Sequence, residues 1–151
     1  KKEVKDRTSG DWKNNSDYNV GDTIPYRVTV DIPENIAELK TFILTDTPTH
    51  QTYVNGSLGI YSEETCTTNI LSGKYTVDTA SNGWKIVFTP ADLASYAGSK
   101  IYIAFNMTLD KGAVVGAGGA DRNDNKIKFT VIKCKHTKNT ILHHESKVFS
   151  R

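Results

Sequence analysis

The chain has 151 residues, about one ordinary domain, and its 37% hydrophobic and 24% charged residues suit a chain that buries a core and exclude a disordered one. Nineteen Lys and Arg against 17 Asp and Glu leave a net charge of +2, too balanced for a nucleic-acid partner, and no basic stripe interleaved with aromatics is present. The apolar runs are far too short for a membrane span, so no membrane partner is expected.

In chain order the pattern is strand after strand. The opening KKEVKD carries no leader and reads as the start of a mature protein or of a piece excised from a longer one. In IPYRVTVDI, Ile24, Tyr26, Val28, Val30 and Ile32 share one face, with Arg27, Thr29 and Asp31 on the other. PENIAELK is a candidate for one short helical turn. TFILTD follows as a short strand, and SLGIYS comes after the turn signal Asn55-Gly56. KYTVDTASNGWKIVF reads as a hairpin folded at Asn82-Gly83, with Trp84, Ile86 and Phe88 inward. TPADLASYAG has a first-turn proline and a stop at Gly98, giving a second short helical turn.

KIYIAFNMTL is the clearest alternation in the chain, with Ile101, Ile103, Phe105, Met107 and Leu109 inward. GAVVGAGGA reads as a flexible loop and lacks the ending of a phosphate loop. KIKFTVIK then alternates Ile127, Phe129 and Val131 with Lys126, Lys128 and Thr130, and SKVFSR closes the chain as a strand. Many short strands between turn residues predict an all-β fold, an immunoglobulin-like antiparallel β-sandwich with one or two short helical turns.

Three polar residues fall on inward parity. Asn125 continues the face of Ile127, Asp46 that of Phe42 and Leu44, and Lys2 that of Val4. Singly, each reads as a strand-end residue in water. Together they gain another meaning if their strands are neighbours, because an unpaired buried polar group costs a few kcal/mol.

KKEVKD, NVGDTIPYRVTVDIP, TFILTDTP and AVVGAGGADRNDNKIKFTV, in that order, resemble the isopeptide-forming domain of Gram-positive fimbrial backbone proteins, the sortase-assembled pilins. ESKVFSR resembles the strand with which such domains lead into the next. The sequence departs from the family pattern in PTHQTY after Asp46-Thr47, in VIKCKHTKN, and in its two cysteines.

The resemblance implies a lysine on the first strand joined covalently to an asparagine on the last core strand, beside a buried acid. By position these are Lys2, Asn125 and Asp46, with Asn123 as the alternative asparagine. Lys1 and Lys5 fall on the opposite parity from Lys2. Burial disfavours charge on both the amine and the acid, so a neutral Lys2 attacks Asn125 while protonated Asp46 polarises the carbonyl and shuttles a proton to the leaving ammonia. The reaction occurs once per molecule, needs no cofactor, and does not make the protein an enzyme.

The implied role is a structural module of a bacterial surface pilus or adhesin. It would be one domain, residues 1–151, of a longer cell-wall-anchored protein, partnered by neighbouring domains or subunits of the same fibre. The alternative is an adhesin domain that binds a host protein or glycan through loops such as 48–56 or 62–73, with Trp12, Tyr53 and Tyr61 as exposed aromatics or partly buried anchors. A plain immunoglobulin-like spacer without the bond is a third reading.

Cys66 and Cys134 fit no zinc motif and are left open between a disulfide and free thiols. His143 and His144 point to opposite faces of a strand, which argues against a joint metal site. DRNDN resembles part of a calcium loop but lacks the glycine and the distal glutamate, so no metal is expected.

Overall fold

The computed structural model describes residues 1–79, 81–113, 123–133 and 140–150, and of positions 123, 124, 133 and 140–150 the backbone alone. Among them run β1 (Lys2–Lys5), β2 (Trp12–Lys13), β3 (Asn15–Ser16), β4 (Thr23–Asp31), β5 (Leu39–Pro48) and β6 (Gln51–Tyr53). These are followed by β7 (Gly59–Tyr61), β8 (Lys85–Phe88), β9 (Lys100–Leu109), β10 (Asn123–Lys133) and β11 (Thr140–Ser150).

The strands form two sheets. The first has the order β2-β1-β4-β9-β6, with β7 further along the same edge of β9 as β6; the second has the order β3-β11-β10-β5-β8. All pairings are antiparallel except that of β11 with β3, which is parallel. The architecture is therefore the expected all-β sandwich, with that one exception.

Alternation builds the core. The inner face of the first sheet carries Ile24, Tyr26, Val28, Val30, Ile101, Ile103, Phe105, Met107 and Leu109, and that of the second Phe42, Leu44, Ile86, Phe88 and Ile127, all buried. Phe129 and Val131, also expected inward, are only half-buried against this core. The two expected helical turns are short 3-10 segments, Ile36–Glu38 and Pro90–Tyr96. Pro90 opens the second, Leu93 anchors it in the core, and Gly98 beyond it takes a φ of +72°.

Three expectations need correction. Among the described residues, 74–78 do not form the first limb of a hairpin beyond the single bridge of Asp78 to Lys85, and β8 pairs with β5 instead. The left-handed residues of that turn are Ser81 and Asn82, at φ 52° and 65°, while Gly83 serves a different purpose described below. The last strand begins at Thr140, well before SKVFSR, and pairs with β10 along its whole length. The strand bearing Asn125 is therefore internal to its sheet, between β5 and β11. Most of GAVVGAGGA lies outside the described residues.

Candidate functional site: a buried lysine, acid and amide

The pairing of Lys2 with Val28 and of Val4 with Tyr26 turns both Lys2 and Val4 to the interior of the first sheet. In the facing sheet Asp46 stands opposite Ile127 and Asn125 opposite Pro48, so Asp46 and Asn125 are diagonal neighbours on the inner face. Lys2, Asp46 and Asn125 are 2%, 3% and 0% exposed. The Lys2 ammonium nitrogen Nζ lies 2.6 Å from Asp46 Oδ1, with both side chains wholly out of solvent. The three residues thus come from three strands, one in the first sheet and two adjacent ones in the second.

The surroundings are aromatic. Lys2 Nζ sits 4.7 Å from the centre of the Tyr26 ring and 5.2 Å from that of Phe105. Tyr26 stacks on Phe105, Trp84 meets Phe105 edge-on, and the Tyr26 hydroxyl donates to Gln51 Oε1 at 2.9 Å. Tyr26, Phe105 and Trp84 are legible in the sequence as inward residues. That they enclose an amine follows only from the pairing of β1 with β4 and of β4 with β9.

Burial pushes the Asp46 carboxyl above the usual carboxylate range, and the nearby Lys2 charge and Asn125 amide oppose this only in part. Burial thus acts toward the protonated, neutral form of Asp46. Among the described residues neither the amide nitrogen nor the amide oxygen of Asn125 has a hydrogen-bond partner, and Asp46 Oδ2 has none. Asn125 lies near enough to influence Asp46, yet no hydrogen bond of ordinary length and angle joins them. Such unmet polar groups at the centre of a core are costly, and they concentrate at these two side chains.

Gly83 holds Asp46 in place from behind. The Asp46 N–H donates to the Trp84 carbonyl at 2.8 Å, and a Cβ on Gly83 would lie 2.1 Å from the Asp46 main-chain oxygen. Asn-Gly in the sequence signals a turn; the close approach of two backbones, which is the reason for glycine here, leaves no separate signal.

Of the alternatives, Asn123 lies two residues before Asn125 on β10, and its recorded strand partner is Ser150 rather than a residue of β5. Its side chain is outside the described residues. Lys1 and Lys5 are exposed. Tyr53, read as exposed or a partly buried anchor, is 7% exposed and belongs to the core, and 51–53 of the proposed binding loop 48–56 is strand β6. Trp12 and Tyr61 are half-buried. Cys66 is half-buried, while Cys134 lies outside the described residues. Among the described residues no group of three or more His, Cys, Asp and Glu gathers as a metal site, and no helix is long and apolar enough to cross a membrane.

A two-sheet sandwich with a lysine, an acid and an amide enclosed between its sheets is the class defined by fold and site. The sequence matches no protein-family model and no curated protein. The fold is shared with solved pilin subunits. BcpA, the major pilin subunit of Bacillus cereus, superposes at a TM-score of 0.72 with 16% identity, over 99% of this chain and 38% of that one. The C-terminal fragment of the major pilin GBS80 of Streptococcus agalactiae gives 0.68 with 19% identity, over 99% of this chain and 54% of that one. The pilus backbone protein RrgB of Streptococcus pneumoniae gives 0.65 with 19% identity, over 93% of this chain and 56% of that one. At these identities the likeness is one of fold, and the chain spans less than two thirds of each of these proteins.

Proposed function

We propose that this chain is one domain of a longer bacterial surface protein, a structural module of a pilus shaft closed by an isopeptide bond between Lys2 and Asn125. The observation that carries this reading is the Lys2–Asp46 contact of 2.6 Å, fully buried beside an Asn125 amide that has no hydrogen-bond partner among the described residues. A buried ion pair is a poor source of stability, and an unpartnered core amide is a cost. Both make sense as reactants.

With the proton on Asp46, the lone pair of Lys2 Nζ attacks the side-chain carbonyl carbon of Asn125. Asp46 donates its proton toward the amide as the tetrahedral centre forms and takes one from the former amine. The carbon–nitrogen bond to the Asn125 amide nitrogen breaks, and ammonia leaves. One amide is exchanged for another, Asp46 regains its starting form, and no oxidant or nucleotide is consumed. Enclosure in contact supplies roughly 7–11 kcal/mol of the barrier reduction. The product is a neutral secondary amide, so no charge stays in the core. Neighbouring domains or subunits of the same fibre are the partners this role requires, at the outer surface of the cell.

Intact-mass spectrometry tests the reading. The expected mass is one ammonia below that of the sequence, and Lys2→Ala or Asn125→Ala returns the full mass. Asp46→Ala folds but stays unlinked. A full mass in the parent chain refutes the bond, and restoration by Asn123→Ala in place of Asn125→Ala moves it to the other asparagine.

A further inference from the structure

A second buried charge pair lies back to back with Lys2. Glu3 and Arg27 face away from the core, yet each is only 5% exposed. They are direct cross-strand partners, and Arg27 Nη2 donates to Glu3 Oε2 at 2.8 Å. Arg27 Nη1 donates to the Glu64 carbonyl at 2.8 Å, Nη2 reaches Glu64 Oε1 at 3.1 Å, and the guanidinium lies 4.7 Å from the centre of the Trp12 ring. Trp12 and, through Glu64, the segment 62–68 thus contribute to a lid over Arg27 on the outer face of the first sheet, and Glu3 Oε1 has a second partner in the exposed Lys1 Nζ at 2.6 Å.

β1 has four residues, and its only inward apolar side chain is Val4. Shifting a strand by one residue exchanges its faces, and a strand with so little apolar pattern specifies its register weakly. Here the shift would carry Lys2 out of the site and Glu3 in. We infer that the Glu3–Arg27 pair is the register key of β1, a positioning device that holds the Lys2 amine against Asp46. In some proteins a buried polar or ionic group fixes register in this way, while contributing little net stability. As a statement about bond formation the inference rests on the function proposed above; as a statement about register it stands alone.

Two measurements separate these. In the Asn125→Ala background, where the proposed bond is absent, folded protein is treated briefly with acetic anhydride and acetylation of Lys2 is read by peptide mass mapping. Glu3→Leu with Arg27→Leu removes both charges and makes position 3 acceptable on either face. Lys2 is expected to label about tenfold faster in this variant than in Asn125→Ala alone. Glu3→Gln, which keeps the hydrogen-bond geometry, stays within about twofold of Asn125→Ala. Should the leucine pair not fold, Glu3→Thr with Arg27→Thr takes its place. Equal protection of Lys2 in all folded variants overturns the register key.

With Asn125 intact, ammonia loss after pulse-labelled synthesis is expected to be about tenfold slower in the same double variant. Loss at the parental rate despite an exposed Lys2 overturns the link to bond formation. If the parent chain never loses ammonia, the proposed function fails while the labelling result still decides the register.

Discussion

Asn125 and Asp46 hold three polar side-chain atoms that have no partner among the described residues, at the one place where two sheets enclose a lysine. Their chemistry depends on small tolerances. Gly83→Ala would press a methyl against the main-chain oxygen of Asp46, which cannot swing aside as a side-chain tip can. The expected loss is about 1–3 kcal/mol of stability together with incomplete ammonia loss, read by urea denaturation and intact mass on the same sample. On the outer face, Arg27→Ala leaves Glu3 with the Lys1 ammonium, 2.6 Å from Oε1, as its remaining ion-pair partner. Urea denaturation should show a cost of about 1.5–3 kcal/mol, more than truncating an exposed residue such as Lys13. The inward parity of Lys2, Asp46 and Asn125 was legible in the sequence. The burial of Glu3 and Arg27 was not, because each sits on the polar side of its own strand, and only the pairing of β1 with β4 sets them opposite one another.

At the scale of elements, the long alternating strands β4 and β9 were legible because their burial is set by side chains that touch one shared core. Residues 74–78 carry the same β-rich composition but gain a partner at one bridge only, since β5 takes β8. Composition records which residues suit a strand and not which neighbour wins it. The start of β11 was missed for a related reason: its pairing with β10 along Asn123–Lys133 defines it more than its own pattern does. The segment 62–68 that contributes to the lid over Arg27 has its own device. Glu63 accepts hydrogen bonds from the main-chain N–H groups of Thr67 and Thr68 and from the Ser62 and Thr67 hydroxyls, and these hold its carboxyl down to about 2. An acid lowered on folding contributes order that is fully present above its unfolded value of 4.5 and is lost as pH falls toward 2. The amides of Thr67 and Thr68 should therefore stay protected from hydrogen exchange at pH 6 and lose protection progressively below about pH 4. Unchanged protection at pH 2.5 would contradict this.

For the whole molecule, a link from position 2 to position 125 closes a loop of roughly 120 residues, for which chain entropy gives a contribution on the order of 5 kcal/mol. Asn125→Ala should accordingly melt roughly 10–20 °C below the parent. With the proposed bond in place, tension applied at the two ends would pass from Lys2 to Asn125 and leave through the segment that follows. Parent molecules in a force spectrometer should lengthen by at most roughly 90 Å, and Asn125→Ala by roughly 500 Å. The two-sheet architecture that makes such a short cut possible was legible as a class from its alternating strands. The face-to-face placement of β1 against β5 and β10 was implied only by resemblance, because no local pattern encodes which strands oppose across a core. The most direct test is tandem mass spectrometry of a tryptic digest of the native chain. A branched peptide in which Lys2 Nζ is acylated by the Asn125 side chain, with one ammonia missing, is the expected species; the two linear peptides at full mass, with no branched form, would contradict it.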